Sequence, residues 1–337
     1  MLTRDCNKEV PFLYRASMQF LHIFTFPVYI AVLTALYLEL SKAFKTYKYY
    51  IIVHVLINVI FEVYTCYFML PITHLPHPLM RTTGWLAHWG FSGLIQFYFL
   101  AQCVIFTGSS VLEMFYFRFK VCIFQYQTHK ISKVLKFQVF FYRLTMLFHP
   151  IAIAFTFQNS LVDTEIGRNN LFLSDPTAEP EITCYSVMLA VSGTYTLKLF
   201  YTYYAIQTIN CFAGSLATLL YITNFVKKSV VISKATERMQ LMLIFSLFIQ
   251  SAIHLFMIIT PIMFMVFVHI YKFTYDQFAR FFLFVLAYHG FMSTCGMILF
   301  TKPLRDKILP FLKNVKRGRT EQVSSIVQST AVEPNRL

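Results

Sequence analysis

Apolar positions in this chain fall in long unbroken blocks rather than in stripes. A helix on the surface of a soluble domain repeats its apolar positions every three or four residues, whereas here runs of twenty or more largely apolar residues alternate with short polar segments. Blocks of that length suit a hydrocarbon layer of roughly 30 Å, which a helix crosses in about 20 residues. They predict seven spans, at residues 16–40, 50–70, 90–115, 137–157, 199–226, 241–267 and 279–300. The fourth is the weakest, with Lys136 at its edge and Arg143 about two turns inside, close enough to the helix end for the side chain to reach the interface. The expected fold is an all-α membrane protein: residues 1–15 as an N-terminal segment, 16–311 as one seven-helix domain, and 312–337 as a disordered basic tail.

Loop charge gives the bundle a direction. One set of alternate segments collects Lys42, Lys45 and Lys48, then Arg118, Lys120, Lys130, Lys133 and Lys136, then Lys227, Lys228, Lys234 and Arg238, and finally Lys302, Arg305, Lys307, Lys313, Lys316, Arg317 and Arg319. The opposite set holds Arg81, Arg168 and Lys272 with the acidic run Asp163, Glu165, Asp175, Glu179 and Glu181. Lys and Arg accumulate on the cytoplasmic side of membrane proteins, so the expected N-terminus is outside and the C-terminus cytosolic. The segment 158–198 is the one long polar insertion between spans and reads as an external loop over the bundle. MLTRDCNKEVPFLYR has no separate apolar core and cleavage site, so the first span is expected to act as the targeting signal.

Composition agrees: 57% of residues are hydrophobic, 18% aromatic and 13% charged, too apolar for a water-soluble fold of 337 residues. The net charge of +14 would point to nucleic acid in a soluble protein; confined to cytosolic loops beside anionic lipid, it does not. Of the seven cysteines, Cys66, Cys103, Cys211 and Cys295 lie inside apolar blocks as packing residues, which leaves Cys6 and Cys184 as the one external pair open to a disulfide. His74, His77 and His88 suggest a metal site only superficially, since the prolines among them suffice to shape the loop and further ligands are missing; no metal and no cofactor are expected. The chain has no Asn-X-Ser/Thr glycosylation acceptor.

Specific motifs appear at both ends. His22 and Pro27 are followed by Lys48, His54 and Glu62, by PITHLPHPLMRTTG with Pro71, Pro76, Pro78 and Gly84, and by Gln96. QLMLIFSLFIQ carries Gln240 and Gln250, then come Pro261 and YHGFMSTCGMILFTKPLR with His289, Gly290, Ser293, Thr294, Lys302, Pro303 and Arg305. In order and spacing these resemble the nematode seven-transmembrane serpentine chemoreceptors of class H, with class I a near alternative. The resemblance covers nearly the whole chain. It implies a seven-transmembrane bundle of the G-protein-coupled receptor type, binding a small chemical cue and activating a heterotrimeric G protein by helix rearrangement. The implied location is the plasma membrane, in the sensory cilia of chemosensory neurons, and receptor oligomers stay open.

Several positions depart from that pattern. The inner end of the third span reads Tyr116, Phe117 and Arg118 where relatives often carry Glu-Asn-Arg, so the arginine lacks its acidic neighbour; Glu113, five residues back, is poorly spaced to replace it. Glu62 stands where the family often has aspartate, and a carboxylate at mid-span costs about 2.5 to 3.5 kcal/mol unless paired, hydrated or protonated. Asn58 and Ser293 are its candidate partners, and with Pro261 they form a candidate switch. His254 replaces a common proline, which should straighten the outer half of the sixth helix. By depth, Gln96, Phe99, Cys103, Tyr201, His254 and Tyr288 are candidates for lining a ligand pocket; Arg118, Lys120, Lys227, Lys228, Arg238, Lys302 and Arg305 are candidates for meeting a G protein. His254, Tyr288 and His289 can equally be satisfied interior residues.

A ligand-gated channel or transporter is the competing reading. Repeated halves with paired broken helices are not visible, and an insect-type odorant channel would have its N-terminus inside. HExxH, a nucleophile elbow and an intramembrane His/Asp cluster of catalytic spacing are all missing, so no enzyme is expected.

Overall fold

A computed structural model describes residues 10–38, 46–74, 79–123, 130–157, 169–170, 173, 187–189, 195–228, 234–271, 276–301 and 304–308. Cys6, His77, Cys184, Lys302 and the tail beyond 308 lie outside them, as does most of the loop 158–198.

The chain is overwhelmingly helical. Helix α1 (Phe12–Phe20) starts directly after Pro11, four residues before the expected span, and runs through Leu21 into α2 (His22–Tyr37). Helix α3 (Tyr47–Val63) passes into a π-helical turn, Tyr64–Met69. Pro71 cannot continue the helix, and Leu70 closes it in the left-handed region at φ 40°, its amide donating to the Thr65 carbonyl. A short α4 (Trp85–His88) follows, then α5 (Gly93–Ile123), α6 (Lys130–Phe157), α7 (Tyr195–Lys228), α8 (Lys234–His254), a second π turn at Leu255–Ile259, α9 (Thr260–Tyr271) and α10 (Asp276–Phe300).

Among the described residues, five helical stretches are long and apolar enough to cross a membrane: Phe12–Tyr37, Tyr47–Met69, Gly93–Val121, Gln240–Ile259 and Gln277–Phe300. Helices α6 and α7, of 28 and 34 residues, are also long enough at 1.5 Å per residue. Phe137, Phe140, Leu147, Ile151 and Phe155 on α6 are all more than 60% exposed, which makes its outward face apolar.

Helix α5 is the hub, packing on α3, α6, α7 and α8, while α10 packs against α8, α3 and α2. The largest core cluster sits where these meet, with Tyr29, Ile51, Val111, Phe115, Leu247 and Met297 among its members. Arg143 pairs with Glu113 across α5 and α6 at 2.7 Å.

One end of the bundle carries strands that the apolar pattern did not predict. β1 (Pro71–His74) and β2 (Leu79–Thr82) form an antiparallel hairpin, and β3 (Val187–Leu189), from within the long insertion, adds to β2 with Arg81 opposite Val187. Gly84 follows, its amide donating to the Met69 carbonyl at 2.9 Å. A side chain at Gly84 would collide with the backbone oxygens of Tyr67 and Phe68.

Candidate functional site

Two polar clusters lie inside this apolar bundle. The first centres on Glu62, which is fully buried on α3. Thr25 and Tyr29, one turn apart on α2, both aim at it: Thr25 Oγ1 donates to Oε1 at 2.5 Å and Tyr29 OH to Oε2 at 2.7 Å. His22 Nε2 stands 3.3 Å from Oε1. Each carboxylate oxygen thus meets a hydroxyl, which offsets much of the cost of burying an acid. The structure gives Glu62 partners on α2 in place of Asn58 and Ser293, because two hydroxyls one turn apart already fill its oxygens. Tyr288 borders the same cluster, donating to the Met18 carbonyl at 2.7 Å and lying 3.4 Å from His22 Nδ1.

Asn58 and Ser293 belong to the second cluster, built around His54, His254 and His289 from α3, α8 and α10. The His254 ring lies 5.2 Å from each of the other two, centroid to centroid. Proton positions follow from the partners. Ser110 spends its one hydroxyl proton on the Thr107 carbonyl at 2.7 Å, so it accepts from His54 Nδ1, also at 2.7 Å. His54 Nε2 then accepts from Asn58 Nδ2 at 3.1 Å, with Ser293 Oγ at 3.5 Å. His254 Nδ1 donates to the Gln250 carbonyl and His289 Nδ1 to that of Leu286, each at 2.7 Å. Gly290 lets α10 press onto α3: a Cβ there would sit 2.6 Å from the Asn58 Cβ.

Beside His254 a cavity of about 110 Å³ opens between α5, α6, α7 and α8. Val111, Tyr142, Gln207, Phe212, Ser251 and His254 are among its lining residues. Of the pocket candidates expected by depth, His254 alone lines it among the described side chains, which do not include that of Tyr201. Gln96 is buried elsewhere, its Nε2 donating to the Phe91 carbonyl and its own carbonyl accepting from Tyr64. Phe99 is half-exposed, Cys103 packs with Leu100 and Ile258, and Tyr201 lies within α7. Ser251 was legible as a partner, three residues before His254 and therefore on the same helical face; Tyr142 and Gln207 carry no such signal.

His254 is the last residue of α8. The π turn Leu255–Ile259 begins immediately after it, and this wider turn accommodates Pro261, whose ring would otherwise clash with the Met257 carbonyl. At the other end of the bundle Arg118 is buried, its guanidinium 3.6 Å from the centre of the Tyr47 ring. Lys120 and Arg238 are exposed, Arg305 Nη1 donates to the Leu299 carbonyl at 3.0 Å, and Lys227 and Lys228 close α7. No three of His, Cys, Asp or Glu among the described residues are placed to hold a metal ion.

No curated protein and no solved structure matches this chain. A family model does, over residues 9–314, and that family is serpentine type 7TM GPCR chemoreceptor Srh. The match settles class H over class I. Carried from the hairpin through the polar clusters to the basic end of the bundle, it makes this multi-pass membrane chain a member of the Srh family of nematode serpentine chemoreceptors.

Proposed function

We propose that the protein is a G-protein-coupled chemosensory receptor whose seven spans run 16–40, 50–70, 90–115, 137–157, 199–226, 241–267 and 279–300, with the N-terminus outside and the C-terminus cytosolic. A small cue enters the bundle and activates a heterotrimeric G protein through movement of α8 against α5. The observation that carries this reading is the position of His254, which forms part of the cavity wall and touches His54 on α3 and His289 on α10. A cue at that wall bears on contacts that join three helices, and a ligand shifts an equilibrium only by contacts that differ between the two states. Rearrangement would open the basic end around Arg118, Lys120, Lys227, Lys228, Arg238, Lys302 and Arg305, the face complementary to a G protein. Glu62, Asn58, Ser293 and Pro261 supply the polar and helical hinges of the switch. The site of action is the plasma membrane of sensory cilia.

Epitope tags at both termini test the topology: in unpermeabilised cells the N-terminal tag is stained and the C-terminal tag is not, and the reverse result overturns it. A cue screen with calcium or cAMP readout in cells expressing the chain tests the signalling. Agonists that act without any heterotrimeric G protein would replace the receptor by a ligand-gated channel.

A further inference from the structure

We infer that the cavity beside His254 takes a small, largely apolar molecule bearing one hydroxyl group, an alcohol in preference to a ketone, an ether or a hydrocarbon. This rests on the proposed function in one respect, that the cavity is where a cue binds.

The chemistry comes from hydrogen-bond bookkeeping on α8. His254 is 7% exposed, and its Nδ1 proton is committed to the Gln250 carbonyl, which can only accept. In the neutral ring Nε2 is then a bare lone pair, and it has no protein partner. Ser251 Oγ, three residues earlier on the same face, also lacks one, and both residues line the cavity. A ligand hydroxyl is the group that satisfies both, donating to His254 Nε2 while accepting from Ser251. A ketone or ether takes only the serine proton and leaves the imidazole unpaired; a hydrocarbon leaves both.

The other walls narrow the class. Tyr142 donates to Ser109 at 2.9 Å, and Gln207 Oε1 faces Thr145 Oγ1 at 3.5 Å. Val104, Ile105, Val111, Phe212 and Ile258 supply apolar surface, and among the described residues neither an acid nor a Lys or Arg lines the cavity, which disfavours ammonium and carboxylate ligands. An enclosed cavity of about 150 Å³ holds benzene; this one, about 110 Å³ and open at its mouth, suits a ring of no more than six non-hydrogen atoms, the size of cyclopentanol.

The test uses the full-length protein in lipid nanodiscs with cyclopentanol and cyclopentanone, a pair matched in size that differs in the hydroxyl proton. Cyclopentanol is expected to bind at least tenfold more tightly. His254→Phe keeps an aromatic ring, removes the lone pair and should bring the two within twofold. Should that variant fail to fold by thermal unfolding, Ser251→Ala serves: it should weaken cyclopentanone more than cyclopentanol. Equal or tighter binding of the ketone, retained selectivity in folded His254→Phe, or no binding of either probe overturns the inference. Selective alcohol binding with a silent G-protein assay sustains the site and defeats the receptor reading. Signalling to ketone and hydrocarbon cues as strong as to alcohols, with no cyclopentanol bound, does the opposite.

Discussion

Arg143 on α6 grips Glu113 on α5 with two parallel contacts, Nε to Oε1 and Nη2 to Oε2, each 2.7 Å long. Two-point geometry fixes the guanidinium plane as well as its distance. The pair is partly exposed, Arg143 at 51% and Glu113 at 26%, on a bundle whose outward faces are apolar. In the proposed seven-span topology, water cannot replace it on its lipid side.

Removing one partner therefore leaves a lone charge facing hydrocarbon. Glu113→Gln is expected to destabilise the receptor by about 2 kcal/mol and lower its surface yield. The double variant Glu113→Gln, Arg143→Met should recover most of the loss. Thermal unfolding of the purified protein checks both, and a double variant no better than the single one refutes a pairwise origin.

Glu62 presents two acceptor oxygens to two hydroxyl donors, Thr25 and Tyr29. Glu62→Gln places an amide NH₂ against one of them, so that hydroxyl must turn from donor to acceptor, at a cost of about 1 kcal/mol. The expected outcome is raised basal signalling with cue response retained. Basal activity and cue response both unchanged from wild type would remove Glu62 from the switch.

Arg118 is held against the Tyr47 ring, not against a carboxylate. Exchange for lysine keeps the charge and loses the planar face that stacks on the ring. Arg118→Lys should lower G-protein coupling partially and Arg118→Leu abolish it, with cue affinity unchanged in both. Coupling at wild-type strength in folded Arg118→Leu, measured by nucleotide exchange on the G protein, would assign the arginine a purely packing role.

Gly290 admits the Asn58 side chain at a distance no other residue allows. Gly290→Ala should cost about 1 to 3 kcal/mol by overpacking. Because the nearest atom is the Asn58 Cβ, Asn58→Ala should give no relief. Melting temperatures of the single and double variants decide the point.

The apolar blocks made the helices legible, because a run of Leu, Ile, Phe and Val of bilayer length has few alternatives. They did not reveal the hairpin: PITH and LMRT, four residues each, are too short to show an alternation, and β3 reaches them from more than a hundred residues away. Nor did they fix which way each helix faces. Gln96, Phe99 and Tyr288 were placed by depth, and depth leaves rotation about the axis free, which is why His254 reached the cavity and Tyr288 joined Glu62. Spacing along one helix pairs Arg118 with nothing and leaves Glu113 unmatched; the base that Glu113 meets is Arg143 on another helix, and no spacing along the chain encodes that.

The two π turns also reset the ruler along their helices. A π turn holds one residue more than an α turn, and a single residue is about 100° of rotation. Beyond Ile259 the side chains of α9 are therefore swung by that angle from where an unbroken α-helix would aim them, whereas the turn at Tyr64–Met69 shifts only the last residues before the chain leaves the helix at Leu70. Comparisons of cue specificity between receptors of this family need their residue counts restarted at Tyr64 and at Leu255, or a lipid-facing position will be compared with one that faces the interior.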